Sequence, residues 1–334
     1  MKILVTGGCG FIGSHLIKHL VRNHKNHVLN IDAHTYASMP ESLNSIKNYK
    51  NYFFKKINIC NSSKLEKIIS DYKPNKVFHL AAESHVDNSI NNPDNFISSN
   101  ILGTYNLLNI CHRNMNKNAF KFIHISTDEV YGSIENKKKS AFKEESKFKP
   151  NSPYSASKAS SDLLVRAWNR TYDFPAIITN CVNNFGEWQY PEKLIPVVIS
   201  SCLLNKKIPV YGKGNNIREW IYVKDHVRQL IDISTKGKIG ESYNIGSGYE
   251  LDNLSIVKLI CEYFNIHLPR NKSYTELITF VKDRPAHDFR YALNTKKISK
   301  ILNNKKTNFE KDFEKTIEWN IKNSKWLLKK TIKK

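Results

Sequence analysis

Lys2-Ile3-Leu4-Val5-Thr6-Gly7-Gly8-Cys9-Gly10-Phe11-Ile12-Gly13 decides the fold of this chain. A short apolar run, the length of one buried strand, passes directly into glycines at three-residue spacing: Gly7, Gly10 and Gly13. Gly7 permits a tight turn, Gly10 lets backbone approach a pyrophosphate, and Gly13 allows a helix to pack closely on the strand. From Phe11 onward the apolar residues recur at helical spacing, so that helix offers free N–H groups and a positive dipole end to the phosphates. A glycine pattern alone is a weak signal, and a plain structural turn is its ordinary explanation. A strand before it and an amphipathic helix after it make it a dinucleotide cradle. Asp32 ends the second apolar run, where a carboxylate reaches the adenosine ribose hydroxyls; otherwise it is a strand-end turn residue. A carboxylate there repels a 2′-phosphate, and no arginine follows within several residues. The expected cofactor is NAD rather than NADP.

Candidate strands follow at 2–5, 27–31, 52–57, 76–81, 120–126 and 176–179, with helical stretches at 11–22, 62–71, 95–113 and 153–172 between them. Strict alternation predicts an α/β fold, a Rossmann-type doubly wound parallel sheet with helices on both faces. After about Asn180 the rhythm changes. Prolines at 191, 196 and 209 and the turn Gly212-Lys213-Gly214 mark shorter elements. The expectation is an NAD-binding domain over 1–180 and a smaller, mainly nucleotide-sugar-binding α/β domain over 181–334, part of which returns to the sheet.

The 334 residues, 40% of them hydrophobic, suffice for one large core and a smaller unit. No run of about 18 uncharged apolar residues is present, and the start shows no signal-peptide pattern. Six scattered cysteines without a Cys-x-x-Cys pair suit reduced, mostly buried thiols in the cytoplasm and argue against a metal site. The formal charge of +22 raises the question of nucleic-acid or membrane-surface binding. Its basic residues are spread widely, apart from Lys137-Lys138-Lys139 and the tail Lys329-Lys330-Thr331-Ile332-Lys333-Lys334. A diffuse positive surface, useful for attracting a diphosphate but with no nucleic-acid partner, is the expected meaning.

Tyr154-Ser155-Ala156-Ser157-Lys158 sets a tyrosine and a lysine four apart, on one helix face, with Ser152 as cap and Pro153 in the first turn. An ammonium and a cationic nicotinamide ring would favour the phenolate that a hydroxyl oxidation requires. Such a pair is common by accident. The more telling stretch is Ser126-Thr127-Asp128-Glu129-Val130-Tyr131-Gly132, at the carboxyl end of the fifth strand, the edge where open parallel sheets bind ligands. Thr127 can hydrogen-bond the hydroxyl that Tyr154 deprotonates. Two adjacent acids can take opposite roles if one is kept protonated. Their bland reading is a solvated helix start.

These residues resemble the extended short-chain dehydrogenase/reductases of the NAD-dependent epimerase/dehydratase family, and among them the dTDP-glucose 4,6-dehydratases. The likeness runs from Met1 to about Trp326 and is carried by Leu80-Ala81-Ala82-Glu83-Ser84-His85-Val86-Asp87, Ser126 to Gly132, Ser152 to Asp162, Pro191-Glu192-Lys193-Leu194-Ile195-Pro196 and Asp283-Arg284-Pro285-Ala286-His287-Asp288. The resemblance implies that Phe11, Ile12, Asp32, Thr35, Ile59, Ala81, Ser84, Ser99, Tyr154, Lys158 and Asn184 line NAD, with Asn58 where the family usually has an aspartate near the adenine. It implies that Ser84, Thr127, Asn183, Lys193, Leu194, Pro209, Tyr211, Arg218, Asn253, Arg284 and His287 line the nucleotide sugar. Forked guanidinium donors suit a diphosphate, although a surface ion pair of Arg218 with Glu219 is the plainer reading. Asn183-Asn184-Phe185-Gly186-Glu187-Trp188 departs from the family's pattern beside the sugar site, Ala286 replaces a usual glycine, and Phe289 replaces a usual basic residue.

The implied lyase reaction is C4 oxidation, loss of water across C5 and C6, and hydride return to C6. Thr127, Asp128, Glu129, Tyr154 and Lys158 are the catalytic group, with Asp128 the acid and Glu129 the base by resemblance. Epimerases and decarboxylases of the same superfamily are the nearest alternatives, and a non-catalytic nucleic-acid binder is the remote one. The first lack the acid pair, and an intact Thr127/Tyr154/Lys158 set weighs against the second. Apolar residues on more than one face of 95–113 and 153–172, among them Ile97, Ile101, Leu107, Leu108, Leu163, Leu164 and Trp168, predict a homodimer.

Overall fold

The computed structural model describes residues 1–135, 140–302 and 308–332. Lys137-Lys138-Lys139 and the last two lysines of the basic tail lie outside the described residues. Twelve strands are β1 (Lys2–Thr6), β2 (His27–Asp32), β3 (Tyr52–Lys56), β4 (Lys76–His79), β5 (Lys121–Thr127), β6 (Ala176–Cys181), β7 (Asn183–Phe185), β8 (Ile208–Tyr211), β9 (Ile217–Tyr222), β10 (Ser242–Ile245), β11 (Glu250–Asp252) and β12 (Ile278–Val281). Seven of them form one sheet in the order β10-β6-β5-β4-β1-β2-β3. Every pairing in it is parallel, with Thr6 beside both Ile31 and His79. The chain runs outward from β1 to β3, then crosses back to β4 on the other side of β1. The carboxyl ends of β1 and β4 are therefore the topological switch point, where doubly wound sheets open a crevice.

Alternate residues of the strands feed two cores. Ile3 and Val5 join Leu16, Ile17, Phe78 and Ile123 on one face, while Leu4 joins Leu29, Val77, Leu107 and Phe122 on the other. Each fully buried aliphatic side chain contributes about 1.5–3 kcal/mol. β3 is the sheet edge, and its Phe53 and Phe54 are exposed beside two lysines that discourage edge pairing.

Helix Pro153–Tyr172 matches its expected bounds, because Ser152 and Ser155 form a reciprocal cap and Asp173 turns left-handed at φ 53 to end it. The expected helix over 95–113 is instead three pieces: Asp94–Phe96, a π turn at Ile97–Leu102, and Gly103–Asn114. The wide turn accommodates the buried Asn100, whose amide donates to Ser157 Oγ (2.8 Å) and Glu83 O (3.1 Å) and accepts from Glu83 N (2.8 Å). Such bulges recur at functional sites.

A second core lies beyond β6. Helices Leu194–Leu204, Asn253–His267, Phe309–Lys322 and Ser324–Ile332 enclose Ile195, Trp220, Ile256, Phe264, Phe313 and Leu327 over a three-stranded sheet (β11-β9-β7) and the pair β12-β8. β10 breaks from this unit and returns to the main sheet beside β6. Among the described residues no helix is long and apolar enough to cross a membrane. All six cysteines are free thiols, and five of them are buried.

Candidate active site

The cleft opens at the switch point and is lined by Gly7, Gly10, Phe11, Ile12, Gly13, Asp32, Thr35, Asn58, Ile59, Ala81, Ser84, Ser99, Tyr154, Lys158 and Asn184, every expected cofactor residue. Gly7 has φ 72, and a Cβ there would lie 2.7 Å from the backbone nitrogen of Ala81. A Cβ on Gly13 would lie 2.3 Å from Gly7 O, so side chains would close this cradle. Helix Phe11–Val21 starts at Gly10 without a side-chain cap, which leaves its first N–H groups for an anion. These features fit a dinucleotide.

Asp32, buried at the end of β2, accepts from Cys9 N (2.9 Å), His34 N (2.8 Å) and Ser38 Oγ (2.8 Å). It thus shapes the loops that would surround a ribose as well as facing one. Cys9, Asp32 and His34 also bring three metal-capable donors within 4.8 Å of one another. The hydrogen bonds already made by Asp32 and the burial that pushes the Cys9 thiol up to about 12 weigh against a ready ligand set.

β5 delivers Thr127, Asp128 and Glu129 to the cleft as it enters a 3-10 turn, and Tyr154 and Lys158 face them from helix Pro153–Tyr172. Thr127 Oγ1 donates to Asp128 Oδ1 (3.1 Å) and accepts from Glu129 N (3.3 Å), in the same cleft as Tyr154. Burial, then Glu129 and Glu219, holds the Asp128 carboxyl well above the usual range. Burial also raises Glu129, but Arg284, Arg218 and Lys193 oppose it. Neighbouring acids therefore sit in different environments, the condition for separate acid and base roles.

Lys158 Nζ donates to Ile125 O (2.8 Å). Burial followed by Glu129 pushes the Tyr154 phenol well up in the protein alone. The net direction is upward, opposite to the expected lowering. Lys158 itself is lowered by burial and supported by Asp162, one turn along the helix.

The expected sugar residues divide. Ser84, Thr127, Asn183 and Lys193 line the cleft, and Lys193 Nζ donates to Ser84 O (3.0 Å). Tyr211, Arg284 and His287 gather beyond it. Tyr211 OH donates to Asp87 Oδ2 (3.0 Å), Arg284 pairs with Asp87 Oδ1 (3.4 Å), and the Tyr211 and His287 rings are 6.2 Å apart. His287 donates from Nδ1 to Asp283 Oδ1 (2.6 Å), and burial lowers it to about 4. Arg218 is buried, donates to Ile217 O (2.8 Å) and Asp288 O (3.0 Å), and lies 4.4 Å from the Tyr291 ring centroid. A surface pair with Glu219 is not what holds it; Glu219 caps the backbone N–H groups of Ser247, Gly248 and Leu293. Leu194 packs into the second core, Pro209 is exposed on β8, and Asn253 N donates to Asn216 O (3.1 Å). These three are not drawn into the polar group.

Asp87, Gln189, Tyr190, Glu192 and Tyr291 belong to the site and were not singled out from the sequence. Asp87 and Glu192 stand in quoted motifs, which is the signal that was available for them. Tyr291 lies in a segment without periodicity.

A glycine-cradled dinucleotide cleft meeting a Thr-Asp-Glu string and a Tyr/Lys helix pair defines an extended short-chain dehydrogenase/reductase. The chain belongs to the GDP-mannose 4,6 dehydratase family, whose model matches residues 4–316. It is 48% identical to dTDP-glucose 4,6-dehydratase 1 of Escherichia coli K12, over 98% of this chain and 94% of that protein. Its fold is similar to that of the Streptomyces venezuelae dTDP-glucose 4,6-dehydratase solved with NAD and TYD bound, at TM-score 0.90, 35% identity and 98% coverage of both chains. The Bacillus anthracis dTDP-glucose 4,6-dehydratase in complex with NAD gives TM-score 0.85, 38% identity and 98% coverage of both chains.

Proposed function

We propose that this chain is an NAD-dependent lyase that converts dTDP-glucose to dTDP-4-keto-6-deoxyglucose and water. The observation that carries it is the buried Asp128 beside Glu129, with Thr127 donating to Asp128 and Tyr154 and Lys158 lining the same cleft. Bound NAD supplies a hydride acceptor and donor that is regenerated in each turnover. Tyr154 takes the C4 hydroxyl proton, with Thr127 orienting that hydroxyl and the Lys158 charge stabilising phenolate once the ring cation is present. The 4-keto group acidifies C5. Glu129, kept from full neutralisation by Arg284, Arg218 and Lys193, removes the C5 proton. Asp128 gives its proton to the C6 oxygen, which leaves as water. Arg218, Arg284 and Lys193 hold the diphosphate.

Mass spectrometry of dTDP-glucose incubated with the protein tests this. Loss of one water with one solvent deuterium retained at C5 is expected. A product of unchanged mass with an inverted hydroxyl would mean an epimerase instead.

We also infer a homodimer working in the cytoplasm. Ile97, Leu102, Tyr105, Leu163 and Tyr172 are exposed on the two neighbouring helical segments, a patch that a second copy would cover. Leu107 and Leu108, expected to contribute, belong to the core of the sheet instead. Free thiols favour a reducing compartment. The scattered positive charge favours weak, salt-sensitive duplex DNA binding with no sequence choice; tight selective binding would overturn that inference.

A further inference from the structure

Helix Ser324–Ile332 contributes no residue to the cofactor cleft, yet it touches both walls of it. The first wall is the stretch after β2, where Thr35, Ala37, Ser38 and Met39 line the cleft and a 3-10 helix, Pro40–Ile46, follows. Glu41, in the first turn of that helix, accepts from Trp326 Nε1 across 3.0 Å and pairs with Lys330 Nζ at 3.5 Å. The second wall is β7 and the stretch after it, where Asn184, Gln189 and Lys193 line the cleft. Trp188 stands within it at φ 65, a left-handed conformation that costs an L-residue about 1–2 kcal/mol. Its ring packs on Trp319 (centroids 4.9 Å apart) and Trp326 (5.1 Å), and Trp319 and Trp326 are 5.6 Å apart. Aromatic packing of this kind offsets the backbone cost. Lys18 Nζ, from the helix behind the glycine loop, lies 5.8 Å from the Trp188 ring.

One indole, Trp326, is therefore joined to both walls: by its N–H to Glu41, and by its face and edge to Trp188. Separation of those walls would break one contact or the other. We propose that Trp326 is a positioning residue that slows the departure of NAD by strapping the two walls together from behind. This rests on the NAD reading above. A cofactor regenerated in every turnover has no reason to leave, so a slow off-rate costs the reaction nothing.

The full-length wild type, Trp326→Ala, Trp326→Phe and Leu327→Ala proteins are loaded with NAD, and release is followed by exchange against excess labelled NAD. Leu327 is fully buried in the second core on the same helix and carries no group that could bond Glu41, so its truncation destabilises the helix while leaving the Trp326 indole in place. Trp326→Ala is expected to release NAD at least about tenfold faster, equivalent to about 1.4 kcal/mol. Trp326→Phe, which keeps a ring against Trp188 but lacks the N–H, should fall between. Turnover at saturating NAD should stay within about twofold, while Leu327→Ala releases at the wild-type rate despite melting lower. Release from Trp326→Ala within twofold of wild type would overturn the proposal, as would equal acceleration by Leu327→Ala. Should Trp326→Ala not fold, Glu41→Ala, which removes the same N–H contact and leaves the ring on Trp188, is expected to release NAD at the intermediate rate of Trp326→Phe, and release at the wild-type rate would overturn the proposal. A wild type that binds no NAD sinks the cofactor reading itself; a wild type that retains it, with a variant that retains it equally, sinks the strap alone.

Discussion

Thr127 donates its hydroxyl hydrogen to Asp128 Oδ1 across 3.1 Å, while Asp128 Oδ2 is buried without a hydrogen-bond partner among the described residues. A bare carboxylate oxygen in that position would be costly, and a protonated one much less so. Burial and the adjacent Glu129 act in the same direction. In the proposed reaction Asp128 would therefore enter as the acid, and Glu129, facing three cations, as the base.

Replacing Glu129 with Gln should lower turnover by about 10²–10⁴-fold and abolish deuterium exchange at C5, while reduced cofactor still forms and is seen by its absorbance. Replacing Asp128 with Asn should slow loss of water by a similar factor yet leave C5 exchange intact. Normal C5 exchange in the Glu129→Gln protein would reverse the two roles.

Stability should fall in mild acid, and His226 shows why. Its Nδ1 donates to Asn184 Oδ1 (2.8 Å), and its buried Nε2 has no partner among the described residues. Burial lowers it from 6.5 to about 3, so the neutral form belongs to the folded state. A depressed histidine contributes stability that is present above the unfolded value near 6.5 and lost as pH falls from there toward about 3. Near pH 5 this one ring costs about 2 kcal/mol. Urea midpoints compared between pH 7 and 5 read the loss, and an unchanged midpoint would refute it.

Ala286 sits at φ 51, in a loop that carries Arg284 and His287. The resemblance puts glycine there, and the backbone says why. Ala286→Gly should raise stability by about 1 kcal/mol in urea titration, since the left-handed strain is removed. Substrate affinity should hold, because Asp87 and Asp283 still orient the two side chains. A drop in stability would show that the alanine methyl packs usefully.

A charge placed on the exposed helical patch should split the proposed dimer. Leu163 is 54% exposed and Leu102 53%. Leu163→Arg in a protein otherwise unchanged should halve the mass seen by light scattering at micromolar concentration. A wild type that is already monomeric under those conditions ends the dimer inference.

The sheet and cradle were legible because their causes are local. Apolar run, glycine spacing and helical periodicity all lie within the stretch from Lys2 to Val21, and the cap of helix Pro153–Tyr172 is written in Ser152 and Pro153. The π turn at Ile97–Leu102 was not legible, because it answers to Ser157 and Glu83, which are distant in sequence. β10 was missed for a like reason: Ser242–Ile245 is too short to announce itself and is defined by β6. The charged end of the site followed the same division. Arg284 and Lys193 stood in recognisable motifs, whereas the acid that binds Tyr211 and Arg284, Asp87, shows its role only when two lobes meet.

Asp32 offers the final test, because its carboxylate does two things at once. It accepts three hydrogen bonds that shape the loops from Cys9 to Ser38, and it presents negative charge where a ribose phosphate would lie. Asp32→Ala removes both and confounds them. Asp32→Asn keeps the size and one acceptor oxygen while removing the charge, so His34 and Ser38 can remain bound and mainly the Cys9 contact suffers. The ratio of NADP to NAD affinity should then rise at least about tenfold, since a close like-charge repulsion of more than about 1.4 kcal/mol is lost. NAD itself should bind somewhat more weakly, as its ribose loses a charged acceptor. Titration of both cofactors against the apoprotein reads the ratio. An unchanged ratio in a folded Asp32→Asn protein would leave the carboxylate a purely structural role.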